Sequence, residues 1–305
     1  MTQDPGRPFG RLLTAMITPF GPDGGVDLDG AQRLATHLVE QGDSDGLVIS
    51  GTTGESPTTS DQEKDRLLRA VCEAVGDRAR IVAGVGSNDT AHTVELATAA
   101  QRAGAHGLLV VSPYYSKPPQ SGLLAHFATV ADATDLPVMV YDIPARTGVA
   151  VAPETMARLA EHPRILGVKD AKDDLAASSW VLAHTDLAYY SGTDLLNLPL
   201  LSIGAVGFVS VVSHLAGPRL REMIDQHDKG DVARARDLHR ELLPLYQGVF
   251  RAPNPILVKA ALQLLGLPAG AVRLPLVDAT GDQVARLRDD LAQGGVVPPA
   301  GSTDA

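Results

Sequence analysis

Residues 165–172 read Ile-Leu-Gly-Val-Lys-Asp-Ala-Lys. A short apolar run, Ile165 to Val168, delivers Lys169 and then turns polar. A run that short, bounded by turn residues, reads as a buried strand. Lys169 then stands at the strand's C-terminal end, half inside an apolar wall. Burial disfavours the ammonium form, so a lysine there is costly unless it is paired or used. A desolvated amine is also what a lysine nucleophile needs to attack a carbonyl. The plainer alternative is a strand-end lysine that snorkels to water.

The same kind of run recurs along the chain. Strands are expected at Leu12–Thr18, Gly46–Ser50, Arg80–Gly84, Gly107–Ser112, Pro137–Tyr141, Ile165–Lys169, Leu187–Ser191 and Gly207–Val212. Helical patterns separate them: Asp29–Gln41, a helix from the Ser60 cap to Ala74, Thr90–Ala103, Gln120–Thr134, Pro153–Glu161, Asp173–Ala183 and Leu195–Ile203. Ser60 and Glu63 have the spacing of a capping box. Continuous apolar strands are covered on both faces, which means a parallel sheet. Eight such steps predict an α/β fold, a (β/α)8 TIM barrel. An open doubly wound sheet would want a Gly-rich dinucleotide turn after the first strand, and Thr-Pro-Phe-Gly-Pro-Asp-Gly-Gly at 18–25 is not one. Helical patterns at Val232–Gln247, Asn254–Leu265 and Gln283–Gln293 follow. The expected organisation is a barrel over 1–228, a C-terminal helical extension over 229–293 and a disordered tail over 294–305.

Composition bounds the function. The 305 residues are 44% hydrophobic and 20% charged, ample for a core. A net charge of -10 argues against nucleic acid or an anionic membrane as partner. The single cysteine, Cys72, excludes a disulfide framework and reads as a core residue. No long apolar segment near the N-terminus suggests a signal peptide or membrane span, so a cytoplasmic location is expected. The nine histidines form no metal-ligand pattern, and no metal is expected.

In a barrel of this kind, function sits at the C-terminal ends of the strands. There the chain places Thr52 and Thr53, Tyr115, Tyr141, Arg146, Lys169 and Gly192. Of six lysines, Lys169 is the one at an apolar strand end. No paired carboxylates are expected at a strand end. This set suits an amine nucleophile, hydroxyl proton carriers and an anion clamp. Gly51–Gly54 is either a tight turn or an anion-binding array of backbone N–H groups. The tyrosines could be core aromatics and Arg146 an exposed loop cation, although arginine suits bidentate carboxylate binding.

Several segments carry a resemblance: GTTGES at 51–56, PYYSKPPQ at 113–120, YDIPARTG at 141–148, GVKDA at 167–171, SGTD at 191–194, GAVGFVSV at 204–211 and PNPILVKAAL at 253–262. Together they resemble the dihydrodipicolinate synthase/N-acetylneuraminate lyase family over nearly the whole chain, with Arg146 favouring the dihydrodipicolinate synthase branch. The resemblance implies that Lys169 forms a Schiff base with pyruvate and that the enamine adds to aspartate semialdehyde, giving 4-hydroxy-tetrahydrodipicolinate. It implies Tyr141 as proton carrier, Thr53 and Tyr115 as its relay partners, and Tyr115 arriving from a neighbouring subunit. Thr52 and Thr53 would hold the pyruvate carboxylate through backbone N–H groups, and Arg146 the aldehyde's carboxylate. Gly192 and Val209 would line the pocket with carbonyls. No cofactor is implied. A homo-oligomer, a tetramer built as a dimer of dimers, is implied as the partner state. Thr193 departs from the family's usual Gly-Asp-Asp. At the family's lysine feedback site Ser56, Asn88 and Tyr114 match, but Asp61, Lys64 and His92 replace the usual residues, and Lys64 would repel a bound ammonium. The alternatives are a sister aldolase acting on pyruvate and another aldehyde of sugar-acid type, a pyridoxal phosphate barrel, or a non-catalytic binding barrel.

Overall fold

The computed structural model describes residues 6–297. Eight parallel strands close on themselves in chain order. They are β1 (Leu12–Ala15), β2 (Gly46–Ile49), β3 (Arg80–Gly84), β4 (Gly107–Val111), β5 (Val138–Asp142), β6 (Ile165–Asp170), β7 (Ala188–Ser191) and β8 (Gly207–Ser210). The helices around them are α1 (Leu28–Glu40), α2 (Asp61–Val75), α3 (Thr90–Ala103), α4 (Gln120–Asp132), the single turn α5 (Pro144–Thr147), α6 (Pro153–Ala160), α7 (Leu175–His184), α8 (Asn197–Ser202) and α9 (Ser213–Asp228). Then come α10 (Val232–Glu241), α11 (Leu243–Val249), α12 (Ile256–Leu264) and α13 (Gly281–Gln293). This is a TIM barrel followed by helices. Among the described residues no helix is long and apolar enough to cross a membrane.

Local chemistry explains the boundaries. The Ser60 side chain accepts from the Glu63 N–H and Glu63 returns the bond to Ser60 N–H, so the capping box forms and α2 starts where expected. Asp27 caps α1 by accepting from Gly30 N–H. Leu34 and Leu38 of α1 are fully buried, each contributing about 1.5–3 kcal/mol of transfer free energy.

Four expectations need correcting. First, β5 and β6 each run one residue further than expected, to Asp142 and Asp170, and these are register partners. Paired carboxylates therefore do stand at strand ends; a local apolar pattern could not show that both are buried and share a counter-charge. Second, α9 was not expected. Gly217-Pro218 reads as a breaker, and the backbone does kink there, with Ala216 at φ -144, yet the helix resumes and covers β1. Third, the single helix expected over Val232–Gln247 is two, because Pro244 starts a new first turn. Fourth, Leu195–Ile203 is a 3-10 turn, Asp194–Leu196, leading into α8. At the expected tail, the N–H groups of Gly294 and Val296 bond back to Asp290 and Leu291. Residues 298–305 of that tail lie outside the described residues.

The helices after α9 share one buried cluster with Leu12 of β1 and Phe208 of β8. They also reach the turn after β2. Lys259 on α12 meets Glu55 at 2.6 Å, both side chains 2% exposed. Its ammonium also donates to Ala271 C=O at 2.8 Å and lies over the Phe20 ring. Burial pulls the Lys259 pKa down, and the bond to Glu55 opposes this. Arg273 N–H donates to the other Glu55 oxygen at 2.9 Å. Removing one partner of a buried pair strands the other charge. Lys259→Met should cost about 3–5 kcal/mol in urea unfolding, while Lys259→Met with Glu55→Gln should cost less than the sum of the single changes. A loss below about 1 kcal/mol in the single variant would show the pair to be stabilised from elsewhere.

Candidate active site

The C-terminal strand ends surround a cleft of about 690 Å³. Thr52, Tyr115, Tyr141 and Arg146 line it, with Asn88 and Tyr114. Lys169 is 4% exposed, and its Nζ lies 4.2 Å from the centre of the Tyr141 ring. Tyr141 and Lys169 are register partners on β5 and β6, so neighbouring parallel strands present them to the same side. Lys169 thus meets the cleft through Tyr141.

Gly192 is needed where the lysine stem passes. A Cβ there would stand 2.9 Å from Lys169 Cγ, 3.0 Å from its Cε and 2.9 Å from Asp170 C=O. Its own N–H donates to that carbonyl at 2.6 Å. Val209 sits within β8, paired with Leu13, and is 1% exposed.

The two threonines divide. Thr52 lines the cleft. Thr53 is 3% exposed, and its hydroxyl oxygen accepts from Asn254 Nδ2 at 2.9 Å. The resemblance implies Thr53 as the relay hydroxyl, whereas the threonine that lines the cleft with Tyr141 and Tyr115 is Thr52. The turn is closed by Gly54 N–H and Ser56 N–H on Gly51 C=O, and by Glu55 N–H on Thr52 C=O. Among the described residues no acceptor meets the N–H of Thr52 or Thr53. Two adjacent unused donors of this kind are what an anion-binding concavity requires. Arg146, exposed on the one-turn α5, makes no ion pair among the described residues.

Tyr115 is 88% exposed with φ +72. Ser116 N–H closes a tight turn on Tyr114 C=O at 2.9 Å. A left-handed backbone is unusual for so bulky a residue and costs strain. This chain offers the ring no cover.

Sequence reasoning missed Asn254, Asp194, Asp142, Asp170 and Lys172. Asn254 is 201 residues from Thr53, beyond any local pattern. Asp194 is 2% exposed and accepts from the N–H groups of Val211 and Val212, each at 3.0 Å, from Asn197 Nδ2 and from the Ser210 hydroxyl. Burial pushes its pKa up against these bonds. Cys72 is half-buried, and burial pushes its thiol up to about 11. No cluster of three metal-ligating side chains occurs among the described residues.

The model of the dihydrodipicolinate synthetase family matches residues 8–294. The 4-hydroxy-tetrahydrodipicolinate synthase of Acidothermus cellulolyticus is 69% identical over 288 residues, covering 94% of this chain and 93% of that protein. That of Streptomyces coelicolor, numbered 2, is 61% identical over 295 residues, covering 97% and 98%. Among solved structures, a DHDPS from Cyanidioschyzon merolae with lysine bound superposes with TM-score 0.93 at 44% identity, over 95% of this chain and 99% of that one.

Gly192→Ala tests the lysine's packing. The added methyl should push the Lys169 stem aside and lower kcat by about 10²-fold, the order expected of a displacement near 1 Å. Circular dichroism should be unchanged, and an unchanged kcat would mean the stem has room to move.

Proposed function

The chain belongs to the dihydrodipicolinate synthetase family, and from that premise we propose that it condenses pyruvate with aspartate semialdehyde through a Schiff base on Lys169. The product is 4-hydroxy-tetrahydrodipicolinate, and the enzyme is a lyase of the diaminopimelate and lysine pathway. One observation carries the choice of nucleophile. Lys172 and Lys259, with side chains 5% and 2% exposed, each have a carboxylate partner. Lys169 is as deeply buried and has none among the described residues. A buried amine with no ion-pair partner beside a tyrosine is an amine held for chemistry.

The Lys169 amine attacks the pyruvate ketone, and the carbinolamine loses water to an iminium. Loss of a methyl proton gives an enamine. The enamine carbon bonds to the aldehyde carbon, whose oxygen takes a proton. The substrate's own amine then attacks the imine carbon, closes the ring and expels Lys169. The iminium nitrogen is the electron sink, so this chemistry calls for no metal or cofactor. Tyr141 carries the protons, with Thr52 as the adjoining hydroxyl. The N–H groups of Thr52 and Thr53 hold the pyruvate carboxylate, and Thr53 is itself held by Asn254. Arg146 takes the second carboxylate bidentately. Gly192 and Val209 serve as backbone around the lysine.

Tyr115 extends the relay from a second copy of the chain. Its exposure and strained backbone support this, because a projecting ring held at positive φ is built to be received. A homo-oligomer follows from that reading, and a tetramer is its fullest form. A pyridoxal phosphate barrel is disfavoured by Asp194. It already fills the N–H cradle after β8, where phosphate-binding barrels place their anion.

The deciding assay follows turnover of pyruvate and aspartate semialdehyde through NADPH consumed by an added dihydrodipicolinate reductase. Lys169→Ala should abolish turnover and the adduct that borohydride traps with pyruvate. Arg146→Ala should keep that adduct and lose the aldehyde reaction. Loss of the adduct as well would remove Arg146 from the second-substrate role.

Lysine sensitivity is a separate test. Lys64 donates to Thr59 C=O at 2.5 Å and lies 3.9 Å from Asp61, which also bonds His92 at 2.8 Å. All three line the cleft with Ser56 and Asn88. A resident ammonium there repels another. Lysine added at millimolar concentration should leave the rate unchanged; strong inhibition would reverse this reading.

A further inference from the structure

On the lumen side of β5 and β6 stand Tyr141 and Lys169. One residue on, Asp142 and Asp170 are also register partners, and alternation turns them to the opposite face. They are 0% and 3% exposed. Lys172 lies between them, its Nζ 3.5 Å from Asp142 Oδ2 and 3.8 Å from Asp170 Oδ2. It also donates to the Tyr189 hydroxyl at 3.1 Å. Two buried carboxyl groups thus share one ammonium.

The cluster ties together the segments that carry Tyr141, Arg146, Lys169 and Gly192. Asp142 Oδ1 accepts from Val151 N–H at 3.2 Å, closing the segment that carries Arg146. Its backbone carbonyl accepts from Ala171 N–H at 2.9 Å, just past Lys169. Asp170 accepts from Lys172 N–H at 2.9 Å and from the Ser178 hydroxyl on α7. Its carbonyl receives Gly192 N–H, which backs the Lys169 stem. Asp142 Oδ2 takes no hydrogen bond.

We propose that Asp142, Lys172 and Asp170 form a positioning cluster for Lys169 and Tyr141, holding their strand ends in register and placing one net negative charge behind the amine. None of the three touches substrate. The inference rests on the Schiff-base reading of Lys169. A net negative charge on the other face of the same strand ends favours the cationic iminium over the neutral amine in an interior of low dielectric. Protonating Asp142 would neutralise the cluster and remove that field.

The titratable groups facing Asp142 are Lys172 and Asp170 from β6 and its loop, and Tyr189 from β7. α7 adds the Ser178 hydroxyl and the segment before α6 the Val151 N–H. Burial pushes Asp142 up to about 6, Lys172 opposes the rise, and Asp170 adds to it. Burial likewise holds the Tyr189 phenol neutral. The cluster therefore becomes neutral as pH falls through about 6, and imine formation should weaken on that side.

The test measures imine formation with pyruvate across pH, by borohydride trapping and mass spectrometry, alongside kcat and KM. Asp142→Asn is isosteric and neutral at every pH. It should lower the plateau and abolish the acid limb near pH 6. Lys172→Met removes the opposing charge and should move the limb upward by about 1–3 units, and Lys172→Arg should return it. If Lys172→Met does not fold, the Asp142→Asn profile decides alone. Wild-type imine with unmoved profiles in the variants would overturn this inference only. No imine in the wild type would overturn the Schiff-base reading and this inference with it.

Discussion

The parallel register of β5 on β6 is the constraint on which the rest of the site depends. It pairs Tyr141 with Lys169 and Asp142 with Asp170. Because side chains alternate along a strand, a slip of one residue in β6 would break both pairs, turning Lys169 to the helix layer and Asp170 to the lumen. The amine would then leave the cleft, and a carboxylate would stand beside Tyr141 in its place. The ladder continues into β7, where Lys169 pairs with Tyr190 and Asp170 with Ser191. Three strands must therefore agree before the lysine is correctly placed, and the buried charges on the outer face make the wrong register expensive.

A second constraint comes from outside the barrel. The turn after β2 is small, polar and strained, with Ser50 and Glu55 both at positive φ. It is held from α12 and its flanks: Asn254 on Thr53, Lys259 on Glu55, and Arg273 on Glu55 and Glu63. The bond to Arg273 pulls Glu63 down to about 2. The helices beyond the barrel thus bury apolar surface on β1 and β8 while fixing the two N–H donors assigned to the substrate carboxylate. A preorganised donor costs no reorganisation when the anion arrives.

Much of this was legible in the chain. The apolar runs gave all eight strands, and α3 has the expected bounds, because both signals are local. The Ser60–Glu63 box was legible for the same reason. The failures were non-local. A polar residue after an apolar run looks like the end of a strand, so the local pattern puts Asp142 and Asp170 past the strand ends; their burial depends on Lys172 and Tyr189. The segment of α9 carries no expectation of a helix, because nothing nearby reveals that it has β1 to pack on. Thr52 and Thr53 are adjacent and alike, and only the arrival of Asn254 tells them apart.

The barrel's upper face offers two cradles of backbone N–H groups, and the chain treats them differently. After β8 the donors of Val211 and Val212 are taken by Asp194, a carboxylate supplied by the chain itself and sealed from water. After β2 the donors of Thr52 and Thr53 are left unused among the described residues. Arg146 lines the same cleft and has no ion-pair partner among the described residues, so on the proposed reading it takes the second carboxylate. Two separated carboxylate sites with an amine between them suit two acidic substrates joined at the carbon next to a ketone. A single phosphate-bearing ligand would want the cradle that Asp194 has closed.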